Sequence, residues 1–433
     1  MKSLKNIVVV CDYGYVEGGA ARIALDTAKV LAGEGYRVWL FCAVGPADGE
    51  LTAAGVQVVC LGQSDILHEK SRVRGVLRGL CNRQAKKAFS ELLSTLDPAE
   101  TLIHVHTWTK GLSSAIFPVA ERKHFRVVLT VHDFFLVCPN GGLFNYQTGK
   151  ICELKPLSAK CVLCNCDSRN YLQKLFRVWR QRVQNHNIRR RKNISYIFIS
   201  EFAKREFLRR YDRIPERQQY FLTNTIRFDA DRSRVPCENN GTYLYIGGIA
   251  EHKGIRQFCE AVTAAGVSAT VVGAGILEAE LKRKYPNIHF AGWKSKAEML
   301  PYIQEARCLV FPSIYYEASP LTPLEVMAYG VPVVCSDLNA ASENIRDGEN
   351  GILYAGADGS TALAEAIRKA QNDEDVRRMS EYIFKHFDAE RYSEATYLRG
   401  LLQIYKKVLY GEETEKTDHQ ALRAVSAVGA EEP

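Results

Sequence analysis

The sequence predicts an α/β protein in which parallel β-strands alternate with helices, and three observations carry that expectation. Residues 6–10 and several later runs are short, apolar and β-branched, the composition of strands buried on both faces. Segments of helical period separate them, which implies a parallel sheet with helices on both sides. The 433 residues suffice for two or three domains, each burying its own core.

The chain opens with a strand, the loop CDYGYVEGGAAR, a helix with apolar residues at Ile23, Leu25, Ala28, Val30 and Leu31, and a second strand, YRVWLFCAV. Gly18 and Gly19 at the strand-to-helix junction either make a tight turn or let backbone N–H groups approach a phosphate. Further strands are expected at residues 55–61, 102–106, 127–131 and 195–200. Ligands of such sheets bind at the carboxyl ends of strands, where His106, His132, Asp133 and Ser200 fall. A cleft there competes with simple packing or capping roles. No run of eighteen apolar residues occurs and no export signal precedes the first strand, so no membrane span is expected. Eight of the thirteen cysteines are scattered through strands and helices as small apolar residues, the usage of a reducing, cytoplasmic compartment.

The other five cysteines cluster. Cys138, Cys152, Cys161 and Cys164 could close a tetrahedral structural zinc site, leaving Cys166 in excess. Free thiols or a disulfide are the competing readings, and a catalytic zinc is disfavoured. A basic segment follows at residues 171–193, with eight Lys or Arg and no acid. It reads either as an interfacial helix on anionic lipid or as a packed helix with a solvated basic face. Residues 70–89, with seven Lys or Arg, could extend the same surface. Residues 1–224 carry 34 basic against 19 acidic side chains, a net +15, while the remainder nets −7. The basic half suggests an anionic partner. Nucleic acid is disfavoured, because no recognition motif accompanies the charge.

The second half begins after the polar stretch LTNTIRFDADRSRVPCENNG. A strand, a glycine loop and a helix follow in TYLYIGGIAEHKGIRQFCEAV, where Lys253 either meets a diphosphate or is a surface lysine. The next strand ends in Gly273-Ala-Gly275. In VFPSIYYEASPLTPLEVMAYGVPVVCS, Glu317 and Glu325 flank a proline-marked helix start. Thr322-Pro323-Leu324-Glu325 fits a capping box, making Glu325 a helix cap. A start at Ser319-Pro320 would instead leave its carboxylate free to face a cleft. Gly330 and Pro332 close the helix.

These motifs resemble those of the retaining, nucleotide-sugar-dependent glycosyltransferases of family 4. GGAARIAL is similar to the N-terminal phosphate loop, TVHDFFLVCP and YIFISEFAKREF to acceptor-domain landmarks, and GGIAEHKG to the donor-phosphate loop. YEASPLTPLEVMAYGVPVV resembles the paired-glutamate motif, the most specific of the set, followed by ENIRDGENGIL. The resemblance runs to about residue 410. It implies the GT-B fold, two Rossmann-like doubly wound domains facing a central cleft. Residues 1–224 would bind acceptor and carry the cysteine-rich insert 138–166. Residues 225–387 would bind the nucleotide sugar, 388–410 would form a helix crossing back to the first domain, and 411–433 would be a disordered tail.

By the same resemblance, Glu317 should contact the donor sugar's hydroxyls and Glu325 the nucleotide ribose. Lys253 would neutralise the diphosphate leaving group, supported by N–H groups at Gly18 and Gly19 and by the helix start Ser319-Pro320-Leu321, with Gly275 also in the donor site. His132 would sit near the reacting centre. Breaking a sugar–diphosphate bond develops negative charge on phosphate and positive charge on the ring. Cations and N–H dipoles can stabilise the first without a divalent metal, and a hydroxyl-binding carboxylate orients the second. In one departure, the arginine usual five residues before the lysine is Gly248, for which Arg22 or Arg256 could substitute. The resemblance implies sugar transfer to a glycan or lipid-linked acceptor in bacterial surface-polysaccharide synthesis, including lipopolysaccharide, at the inner membrane face. A nucleotide-sugar epimerase or hydrolase, or a non-catalytic binding subunit, are the alternatives.

Overall fold

A computed structural model describes residues 3–189, 191–211 and 214–411; the expected tail 411–433 lies outside them except for Gly411. The first sheet contains β1 (Asn6–Tyr13), β2 (Arg37–Val44), β3 (Gln57–Cys60), β4 (Thr101–Val105) and β5 (Arg126–Val131). A two-stranded hairpin of β6 (Phe144–Asn145) and β7 (Lys150–Ile151) interrupts it, and β8 (Ile194–Phe198) and β9 (Gln219–Phe221) complete it. Its seven strands run in the order β3-β2-β1-β4-β5-β8-β9, all parallel. The second sheet contains β10 (Thr242–Ile246), β11 (Ser268–Val272), β12 (His289–Gly292), β13 (Ala306–Phe311), β14 (Val333–Ser336) and β15 (Gly351–Tyr354). Its order is β12-β11-β10-β13-β14-β15, again parallel.

Both sheets owe their form to the same residue choice. Every residue of β1 and of β13 is buried, because β-branched and aliphatic side chains meet helices on both faces. Each sheet reverses strand order beside its first strand, and loops leaving the carboxyl ends there converge on a common crevice.

The last helix, Glu394–Tyr410, returns to the first sheet. Ser393 caps it by accepting the Thr396 N–H, and Gly411, at φ 79°, ends it. Tyr397, Leu401, Ile404 and Tyr405 pack with Ile7, Val9, Ala24 and Ala28 of the first domain. The Tyr405 hydroxyl lies 2.6 Å from His104 Nδ1, and the Tyr397 hydroxyl 3.0 Å from Thr27 Oγ1. Burying such side chains is worth about 2 kcal/mol each, which anchors the chain's end on its beginning.

The basic segment is helical over Tyr171–Ile188, shorter than residues 171–193. Among the described residues no helix is long and apolar enough to cross a membrane.

Candidate functional site

Gly18 adopts φ 105° and ψ −178°, a conformation open to glycine, and N-caps the helix Gly19–Gly33. An added Cβ at Gly18 or Gly19 would meet nothing within 4 Å, so the turn faces open space. One helical turn on, Arg22 reaches across to the second domain. Its Nη1 and Nη2 each lie 3.3 Å from Glu325 Oε1.

The Glu325 contact overturns the capping-box expectation. The helix spans Leu321–Met327 with Pro320 as N-cap and no side-chain cap bond. Thr322 is therefore inside the first turn, and Glu325 points at Arg22 rather than at its own backbone. The start falls one residue beyond the one expected at Ser319-Pro320. Two prolines fix φ through the turn, and with Pro320 at the N-cap Thr322 falls inside the helix, where it cannot serve as the cap. Lys296 belongs to the same corner: burial, offset by Glu325, pushes its ammonium pKa down.

Lys253 ends a short 3-10 turn after β10, and Gly254 then begins the helix Ile255–Ala265. Gly254 has φ 69°, and a Cβ there would sit 1.9 Å from the Pro312 carbonyl oxygen. This contact presses the Lys253 loop onto the loop after β13, which carries Glu317. Lys253 Nζ donates to Glu317 Oε1 at 2.7 Å and to the Tyr315 hydroxyl at 3.0 Å. Ser313 donates to Glu317 Oε1 at 2.8 Å and Tyr315 to Oε2 at 3.1 Å. Burial alone would lower the lysine pKa, but Glu317 and Tyr315 raise it, so the ammonium stays charged. Burial and the Glu317 charge hold Tyr315 protonated as a donor.

His132 occupies a different network. Its Nε2 is 2.9 Å from His106 Nδ1, and the His106 ring also lies tilted against His104 with centroids 4.1 Å apart. Burial lowers the pKa of His132 to about 4 and that of His104 to about 3, so both rings are neutral near pH 7. His106 Nε2 is buried without a partner. Beside them, burial raises Asp133 to about 6. The aromatic side chains Phe134, Phe144 and Tyr146 carry this edge of the first domain onto Tyr316, Tyr315 and His252.

The remaining donor candidates are placed less directly. Gly275 has a steric role: a Cβ would lie 2.4 Å from the Ile249 carbonyl, so glycine lets the two loops pack. Ser319 and Pro320 line an interdomain cavity of about 380 Å³ with Ser200, Asn224 and Tyr392. Leu321 packs against the apolar contacts of Ile226 and Tyr392. A cavity of about 940 Å³ lies between the Gly19–Gly33 and Glu394–Tyr410 helices and contains none of Lys253, Glu317, Glu325 or His132. At Gly248 an added side chain would meet nothing within 4 Å. Arg256, one proposed substitute for the missing arginine, is held by Glu251 and Glu280 at the surface, whereas Arg22 faces the crevice.

The cysteines Cys138, Cys152, Cys161 and Cys164 do not assemble as the expected metal set. Among the described residues no three His, Cys, Asp or Glu side chains converge as a metal centre requires. Cys138 bonds Asn140 at 3.0 Å, and Asn145 approaches Cys164 at 3.6 Å. The buried ammonium of Lys174 lies 3.1 Å from Cys166 and 3.7 Å from Cys161. Cys166, the surplus residue of the sequence pattern, is thus the more central one.

Tyr315, Ser313 and Lys296 were not legible as site residues. The signal available was position: Tyr315 and Ser313 lie two and four residues before Glu317 in the same loop.

Two family models match the chain in order: Glycosyltransferase Family 4 over residues 17–222 and Glycosyl transferases group 1 over residues 240–373. Glycogen synthase of Mycobacterium tuberculosis is 29% identical over 152 residues, 33% of this chain and 36% of that protein. O-antigen chain mannosyltransferase C of Escherichia coli is 26% identical over 175 residues, 39% of this chain and 47% of that protein. The chain spans from 29% to 50% of the length of the curated relatives it matches. The Anabaena protein HepE, solved in complex with UDP and glucose, superposes with a TM-score of 0.64 at 16% identity, covering 93% of this chain and all of that one. Two parallel α/β domains in this order, matched by both models, place the chain in the family 4 glycosyltransferases, with the GT-B fold.

Proposed function

We propose that the protein is a retaining hexosyltransferase that moves a sugar from a nucleotide diphosphate to a glycan or lipid-linked acceptor in bacterial surface-polysaccharide synthesis, at the cytoplasmic face of the membrane. The observation that carries this reading is the Lys253–Tyr315–Glu317 cluster, on the loop that runs into the helix carrying Glu325, whose carboxylate meets Arg22 of the first domain. The C1–phosphate bond of the donor breaks, C1 bonds the acceptor oxygen on the same face, and the acceptor proton leaves with the phosphate or to solvent. Lys253 and the N–H groups at Gly18 and Gly19 take up the charge developing on the diphosphate. Glu317 orients the sugar hydroxyls, Glu325 the ribose, and neutral His132 lies on the acceptor side. These fixed charges do the work a divalent cation would otherwise do. HepE was solved with UDP and glucose, and the E. coli relative builds O-antigen chains; both favour such a donor and acceptor class.

The test is a panel of nucleotide sugars assayed for nucleotide release, with membrane extract as acceptor and chelator present. One donor should respond to acceptor and be indifferent to chelator. Release without acceptor, or none with any donor, would reject transfer. Gly248 favours a second reading, a non-catalytic nucleotide-sugar-binding subunit. It stands if Glu317→Gln leaves the cell's glycan unchanged while the protein remains folded.

A further inference from the structure

The helix Tyr171–Ile188 turns several polar side chains inward, alongside Val178 and Ile188. Its buried positions include Lys174, Gln181 and Gln184. Gln181 donates to the Leu136 carbonyl and Gln184 to the Phe135 carbonyl, each at 2.8 Å, and Gln184 accepts from Trp108 at 3.1 Å. The apolar side points out: Leu172 is 78% and Trp179 55% exposed, with Leu175 beside them. An ordinary surface helix would bury such leucines and tryptophan and expose its glutamines. The inward polar groups are satisfied, so the outward apolar groups are not a side effect of a poorly packed core.

A second helix, Arg72–Leu80, extends the face. Its glycines lie inward, and a Cβ on Gly79 would be 2.8 Å from the Phe176 ring, which locks the two helices together. Val73 and Leu77 consequently face out, 70% and 60% exposed. The short helix Ala159–Leu163 joins through the Tyr171 hydroxyl, which donates to the Val162 carbonyl at 3.1 Å. It adds Leu163, 74% exposed.

The charge around this patch has one sign. Exposed Lys70, Arg72, Lys160, Arg169 and Arg182 have no ion-pair partner among the described residues. The acids nearest in sequence are spent: Asp167 is buried against Arg177, and Glu69 holds Arg78 and Arg74. A protein partner would have to supply many acids at defined positions. An anionic bilayer supplies negative charge everywhere and accepts leucine and tryptophan at its boundary.

The geometry points to docking of this protein on an anionic lipid surface through Val73, Leu77, Leu172, Leu175 and Trp179, with Arg72 and Arg182 among the headgroups. The inference rests on the membrane part of the function proposed above and adds the surface that makes the contact: the apolar side of the two helices rather than the basic face alone. Cysteine-insert residues Cys161 and Cys166 hold Lys174 beneath this face, so the insert serves as its mount.

The test is sedimentation of the full chain with vesicles of phosphatidylcholine alone and with added phosphatidylglycerol, without donor or acceptor. Wild type should pellet with the anionic vesicles only, and less at high salt. Leu172→Glu with Trp179→Glu should weaken partitioning by about tenfold or more, and Arg72→Glu or Arg182→Glu by about fivefold each. Leu77→Glu, on the other helix, should act like the first pair; an unchanged unfolding midpoint in any of these variants shows that it is folded. Equal pelleting with both vesicle types, none with either, or full binding by all folded variants overturns the proposal. So does loss of an oligomer in the apolar variants with no vesicle binding by wild type, which would assign the face to a second copy. Nucleotide release with a soluble acceptor should stay unchanged in them. Vesicle binding without any transfer would refute the enzymatic reading and leave this one standing.

Discussion

Replacing Lys253 by alanine removes an ammonium lying 2.7 Å from Glu317 Oε1 and 3.0 Å from the Tyr315 hydroxyl. Glu317, whose side chain is 12% exposed, keeps Ser313 and Tyr315 as donors. A carboxylate left there without its cation costs about 1–3 kcal/mol, and two surviving donors place the loss toward the lower end. The effect on catalysis should be larger. In the proposed reaction the same ammonium faces the departing phosphate, and losing one such group typically costs about 3–4 kcal/mol, or about 10²–10³ in kcat. Nucleotide release at saturating donor, measured beside thermal unfolding, separates the two effects. Lys253→Arg should recover only part of the rate, since a broad guanidinium fork cannot reproduce a point charge between Tyr315 and Glu317. A folded Lys253→Ala protein with kcat within about threefold of wild type would refute the role.

Three further outcomes are expected. Arg22→Gln should raise the donor KM about tenfold while costing about 1 kcal/mol of stability or less, because the pair it breaks with Glu325 is partly exposed; an unchanged KM would remove Arg22 from the donor site. Gly248→Arg should fold with an unchanged midpoint, since its side chain enters open space, and should raise kcat/KM by about tenfold by adding a phosphate cation; a fall in rate or midpoint would contradict this. Burial depresses the pKa values of His104, His106 and His132 below 6.5, so the unfolded chain binds more protons than the folded one below that pH. Stability should therefore be intact above pH 6.5 and fall as pH drops through about 4, by up to about 1.4 kcal/mol per unit for each histidine. Denaturant midpoints across that window check it, and a flat profile would contradict it.

The two parallel sheets were legible because their strands are buried on both faces and therefore continuously apolar. The Lys253 and Glu317 positions were legible through motif resemblance, and the structure brings them into one ion pair. What escaped the sequence depended on contacts between distant segments. The Thr322–Glu325 spacing fits a cap locally, but Arg22, some three hundred residues earlier, claims the carboxylate. Cys161-x-x-Cys164 suggested a pair, yet the turn of the chain aims Cys166 at Lys174. The sign of the Tyr171–Ile188 face was also hidden, since the partners of Gln181 and Gln184 are backbone carbonyls of another loop. At Gly275 the sequence suggested a ligand loop and gave no sign of the close approach to the Ile249 carbonyl, which also requires glycine.

The most direct test is a structure of the protein with its nucleoside diphosphate bound. The diphosphate should lie between Lys253 Nζ and the N–H groups at Gly18 and Gly19, the ribose should rest on Glu325, and the Arg22–Glu325 contact should open to admit it. A nucleotide seated instead in the cavity beside the Glu394–Tyr410 helix, with the Lys253–Glu317 pair untouched, would contradict the account.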